Sequence, residues 1–154
     1  YSSSPNPRQI LAEIYEELED VEAMTRELEA LLHVHQYAYG ACLKLAQVAQ
    51  SGSDYDRAVY YLEKAIALNP YDQGVHRLLA AAAMEQLDYV TAIREYAVLL
   101  ALDDTDPALA NTNLAEAFLL HGQKAEAKRY ALAALEIAPM FERAQDILLD
   151  TLDP

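Results

Sequence analysis

The chain falls onto itself when shifted by 34 residues. Leu11-Ala12 lands on Leu45-Ala46 and on Leu79-Ala80; one inserted residue brings Leu114-Ala115 into line, and Leu148-Leu149 follows. Three residues on stand Tyr15, Ala49, Ala83, Phe118 and Leu152. The later half of each unit repeats as well. Met24, Ala58, Ala92 and Ala127 align, then Leu28, Leu62, Tyr96 and Ala131, then Leu31, Ala65, Leu99 and Ala134. A period of this length marks one supersecondary unit that cannot bury its apolar faces alone, so neighbouring units must stack. The units run over 5–38, 39–72, 73–107 and 108–141, with a linker at 1–4 and a remainder at 142–154. The inserted residue falls in Asp103-Asp-Thr-Asp-Pro107, a loop where an insertion costs little.

Each unit reads as two helices. In the second unit Cys42, Leu45, Ala46 and Ala49 recur three and four apart, Ser51-Gly52-Ser53-Asp54 breaks the run, and Ala58, Leu62, Ala65 and Leu68 resume it. Composition agrees: 28 Ala and 24 Leu against 18 Val, Ile and Thr together favour helix over sheet. Asp20, Asp54 and Asp88 are placed to cap second helices, and Asn6 and Asp106 precede a Pro at the first helical position. Gly122 stands where a helix end wants a left-handed residue. The spacing predicts helices over 7–18, 21–34, 39–50, 55–68, 73–86, 89–102, 108–121, 124–137 and 142–152. Ala12, Ala46, Ala80 and Ala115 let the helices of a hairpin approach closely, while Tyr15, Leu28, Tyr96 and Phe118 fill the space between hairpins.

These residues resemble the tetratricopeptide repeat family. Leu114-Ala115, Phe118, Gly122, Ala127, Ala134 and Pro139 match one unit of its pattern. Leu45-Ala46, Asp54-Tyr55-Asp-Arg-Ala58, Ala65 and Pro70 match another. The third unit has Leu79-Ala80, Asp88-Tyr89, Ala92 and Tyr96, with Asp104 where Pro is usual; the first replaces Ala and Pro by Met24 and Gln36. The aromatic slot at the front of each unit holds Arg8, Cys42, His76 and Asn111. The resemblance implies an all-α fold, a right-handed α-solenoid of four hairpins plus a C-terminal capping helix. It also implies a protein–protein interaction scaffold without catalysis or cofactor of its own. First helices line the concave groove in this family, so the implied partner-binding residues are Gln9, Glu13, Glu16, Leu43, Gln47, Gln50, Arg77, Ala81, Met84, Thr112, Glu116 and Leu119. The Lys and Asn set with which some members clamp chaperone tails is missing; Arg77 is the clear cation of the matching region. That points to a basic or apolar peptide, or a neighbouring domain. The resemblance also admits a C-terminal appendage of a larger enzyme, such as a bacterial envelope peptidase.

Charge narrows the partner further. The net charge is −14, which repels phosphate backbones and argues against nucleic acid. Residues 1–36 hold eight acids against two bases, and residues 108–141 hold three of each. A groove edged with carboxylates attracts Lys/Arg segments. Catalytic constellations are not evident. His33 and His35 lie two apart on one helix, pointing to different sides, so no shared metal is expected. His76 reads as a packing residue, and Glu13 and Glu17 as part of a solvated acidic face. The Asp103–Asp106 run lacks the Gly and closing Glu of a calcium loop. Cys42 has no partner for an internal disulfide and reads as a small buried hydrophobe. No stretch approaches the ~18 apolar residues of a membrane span.

The two ends differ. The tail 142–152 has one apolar side, Ala144, Ile147, Leu148 and Leu152, and one charged side, as expected of a solvating helix at a natural C-terminus. The opening Tyr1–Pro7 reads as linker within a longer protein. Ile10, Ile14 and Leu18 give the first helix more apolar surface than one neighbour covers, so this edge is expected to dock an upstream segment or a second copy.

Overall fold

A computed structural model describes residues 4–102 and 105–154. Tyr1–Ser3 of the expected linker, and Asp103 and Asp104 of the insertion loop, lie outside the described residues. Nine helices and no strand occur among the described residues: α1 (Pro7–Glu17), α2 (Val21–Val34), α3 (Tyr39–Ser51), α4 (Tyr55–Leu68), α5 (Gln73–Glu85), α6 (Tyr89–Ala101), α7 (Pro107–Leu120), α8 (Lys124–Ile137) and α9 (Glu142–Asp150). Their ends fall within two residues of those read from the repeat.

The punctuation works as its chemistry requires. Asp20, Asp54 and Asp88 accept the backbone N–H of Ala23, Arg57 and Thr91, three residues on. Asn6 and Asp106 cap the Pro-initiated helices through Arg8 N–H and Leu109 N–H. Asp72 caps α5 through Val75 N–H. Each such bond satisfies one of the four donors that a helix start leaves open.

The corner inside each hairpin is built in one way four times. Glu19, Ser53, Leu87 and Gly122 hold positive φ of 57°, 57°, 59° and 82°. Their N–H groups bond back to Glu16, Gln50, Met84 and Leu119. The next residues, Asp20, Asp54, Asp88 and Gln123, bond to Tyr15, Ala49, Ala83 and Phe118. This is the paired-bond helix ending with a left-handed residue, and the residue after it becomes the N-cap of the following helix.

The helices fall into two compact units, residues 1–70 and 71–154. In the first, α1 pairs with α2 and α3 with α4, and α3 stacks on α2. Its core includes Met24, Leu28, Leu31, Cys42, Leu45 and Leu62. In the second, α5 pairs with α6 and α7 with α8, α7 stacks on α6, and α9 seals α7 and α8. Ala80, Ala83, Tyr96, Leu99, Leu114 and Ala117 form one cluster there, and Ala115, Ala131 and Ile147 another. The Phe118 and Tyr130 rings stack 5.5 Å apart at their edge. Fully burying a Leu such as Leu62 or Leu79 stabilises the fold by about 2 kcal/mol relative to exposure. α1 is the exception: only Ala12 of its eleven residues is buried.

Candidate functional site

The poor burial of α1 opens a cleft. Its walls are α1 and α3 and its floor is α2. One lobe, a cavity of about 300 Å³, has Ala12, Met24, Leu28, Leu31 and Ala41 beneath Gln9, Glu13 and Glu16. A second, of about 600 Å³, runs past Tyr15, Glu19, Val21, Gln47 and Val48. The lobes share Glu16, Met24 and Lys44, and the Lys44 ammonium pairs with the Glu16 carboxylate across the gap. Gln9 Nε2 donates to Glu13 at 3.4 Å. The chemistry is an apolar slot under a rim of three carboxylates and one ammonium that is already engaged. Of the groove residues in this unit, Gln9, Glu13, Glu16 and Gln47 line the cleft; Leu43 and Gln50 are half-buried and do not.

In the second unit Arg77 and Ala81 are exposed, and Met84 and Leu119 are half-buried against the core clusters. Thr112 faces the interior: it is fully buried and its hydroxyl donates to Ala108 O at 2.8 Å. Glu116 is occupied from within, since the Arg143 guanidinium on α9 pairs with it and donates to Asn113 Oδ1 at 2.8 Å. Burial pushes the phenol of Tyr96 up, and the Glu116 carboxylate nearby adds to this. Among the described residues no group of His, Cys, Asp and Glu is arranged to hold a metal ion, and no helix is long and apolar enough to cross a membrane.

The sequence model of the tetratricopeptide repeat family matches residues 48–112. The matched stretch runs from the end of α3 into α7, and that part of the chain is similar to the tetratricopeptide repeat. No curated protein matches it by sequence. Among solved structures, the MamA protein is 19% identical over 93% of this chain and 78% of its own, with a TM-score of 0.75. The TPR domain of Arabidopsis OM64 is 20% identical over 75% of this chain and 94% of its own, at 0.63. The first TPR of Spaghetti (RPAP3), solved with the HSP90 peptide SRMEEVD, is 20% identical over 71% of this chain and 89% of its own, at 0.61. The fold class is the all-α helical-repeat solenoid.

The tetratricopeptide aromatic slot carries a feature that composition did not reveal. In the third repeat His76 is buried, with Nδ1 2.5 Å from Glu95 Oε2, and Glu95 Oε1 accepts from Arg94 Nε at 2.7 Å. In the first repeat the same two slots hold Arg8 and Glu27, paired at 3.1 Å. The second repeat puts Cys42 and Tyr61 there, and the fourth Asn111 and Tyr130. Repeats one and three thus carry a polar pair 19 residues apart in these slots. Glu95 was hidden in the sequence because it reads as one more surface carboxylate; its place three after Ala92 on the apolar stripe was the available signal. Cys42 is fully buried, which pushes its thiol up, partly offset by Lys64.

Proposed function

We propose that this chain is a protein-interaction module. In this reading the α1/α3 cleft takes an apolar side chain of a partner peptide, and basic neighbours of that side chain meet the carboxylate rim. The observation that carries this reading is the cleft between α1 and α3, lined at its base by Met24, Leu28 and Leu31 and along its edges by Glu13, Glu16 and Glu19. An apolar slot with a few placed polar groups is what small binding sites are made of. The rim raises the local concentration of cations and speeds their encounter. The fold relatives support the mode and the charge supports the sign. The peptide held by the first TPR of Spaghetti carries three acids, the wrong sign for this rim.

The test is fluorescence anisotropy with a labelled peptide bearing one central Leu between Lys residues, against a twin with Glu for Lys. The Lys peptide is expected to bind at least about tenfold tighter, a difference of ~1.4 kcal/mol. Glu13→Lys with Glu16→Lys removes that preference, and raising salt weakens it. Equal binding of both peptides, or an unchanged preference in the double variant, contradicts the reading. Arg77→Glu tests the second unit's face separately.

A further inference from the structure

A second surface lies on the other side of α1. The slot of Leu11 is filled by Leu45, Leu79 and Leu114 in the later repeats, and these are 2%, 0% and 1% exposed, whereas Leu11 is 40% exposed. In α7 this face is an interface: Leu114 and Ala117 pack in one cluster with Tyr96 and Leu99 of α6. In α1 the matching residues are Leu11 and Ile14, and Ile10 stands where α7 has Asn113. Ile10, Ile14 and Leu18 are 41%, 45% and 68% exposed. The first repeat therefore carries larger aliphatic residues on this face than the repeat that buries it. A contiguous aliphatic stripe left in water on one helix marks an interaction site. Its shape states the occupant, because the same face in α7 receives the stripe of a helix.

Charge states the flanks. Glu17 and Glu22, neither of which lines the cleft, are exposed at this edge. Arg8 pairs with Glu27 and Lys44 with Glu16, and Arg26 is the other base that residues 1–36 set against eight acids. A second copy docking through the same edge would bring two acidic rims together, which is unfavourable at short range. We propose that the outer face of α1, formed by Ile10, Leu11, Ile14 and Leu18, docks an amphipathic helix of a partner protein whose apolar stripe is flanked by Lys or Arg. This mode lays an apolar helix face into a matching surface and uses its flanks for selectivity. It is independent of the cleft.

The test uses the full chain and three labelled synthetic peptides of about 18 residues, long enough for helix formation on docking. One has Leu at helical spacing with Lys flanks, one the same Leu stripe with Glu flanks, and one the Lys and Leu composition scrambled so that no stripe forms. The Lys-flanked helix is expected to bind at least about tenfold tighter than either control. Ile10→Asp with Ile14→Asp, which touches exposed positions and is checked for fold by circular dichroism, removes that advantage. Glu16→Lys in the cleft leaves it in place, and the short Lys peptide of the cleft test still binds the Ile10→Asp, Ile14→Asp chain. Equal binding of the striped and scrambled peptides, or an undiminished advantage in the double Asp variant, overturns the proposal. So does a concentration-dependent dimer in light scattering that Ile14→Asp abolishes, since the occupant is then a second copy.

Discussion

A left-handed residue without glycine is the main local strain in this chain, and it recurs by design of the repeat. Gly122 is at ease at φ 82°, while Glu19, Ser53 and Leu87 occupy the same corner with a Cβ. Leu87 is 69% exposed, so it returns little burial for its conformation. Leu87→Gly is expected to stabilise the fold by about 0.5–1 kcal/mol, net of the extra freedom glycine brings to the unfolded chain. A rise in the urea midpoint checks it, and Gly122→Ala should shift that midpoint down. The buried pair gives the opposite kind of residue. His76→Ala strands most of the Glu95 carboxylate in the core, with the exposed Arg94 still on it, and should cost about 3 kcal/mol by equilibrium denaturation. A loss within ~0.5 kcal/mol would show that the pair adds nothing net. The corner was legible in the sequence only at Gly122, because residue type announces a left-handed turn when it is glycine and hides it otherwise. Thr112 departs from its expected groove position for a related reason: phase alone places a helical residue on a face, and here the hydroxyl donates to Ala108 O inside.

At the scale of elements the repeat was almost fully readable. Helix starts followed from Asp20, Asp54, Asp88, Asn6 and Asp106, since each puts one side-chain oxygen where the first N–H groups need it. Among the second helices of the hairpins, α8 lacks this device. Gln123 stands at the N-cap of α8 and makes no side-chain cap bond. Gln123→Asp copies the chain's own solution and should stabilise it by about 1 kcal/mol. Asp88 offers a pH readout of the same device. The Thr91 hydroxyl and then its N–H donate to this carboxylate and hold it below the usual aspartate range. A depressed acid stabilises fully above its unfolded value and loses that contribution as pH falls through the folded one. Asp88→Ala should therefore cost about 1 kcal/mol at neutral pH, and the gap to wild type should narrow below about pH 4. A gap independent of pH down to 2.5 would mean that the carboxylate charge plays no part. What the pattern could not show is how tightly α1 would sit, because periodicity gives the inward face of a helix and not the gap to the next one.

Across the whole molecule the charge is uneven in sequence, and the uneven part coincides with the least buried helix. Of the eight acids of residues 1–36, Glu13, Glu16 and Glu17 lie on α1 and Glu19 and Asp20 directly follow it, and this helix has an apolar cleft on one side and an aliphatic stripe on the other. The later repeats spend comparable residues on themselves, as Arg143 does on Glu116 and Lys124 on Asp153 O at 2.6 Å. Both proposed binding surfaces thus lie where the repeat pattern is most degenerate. Degeneracy in the first unit was visible in Met24 and Gln36, but its consequence needed the packing. The most direct measurement is a ¹H–¹⁵N NMR titration of the full chain with the short Lys-flanked Leu peptide. The account predicts amide shifts concentrated on Gln9–Glu16, Met24, Leu28 and Lys44–Val48, shrinking as salt is added. Shifts confined to residues outside α1, α2 and α3, or none at saturating peptide, would contradict it.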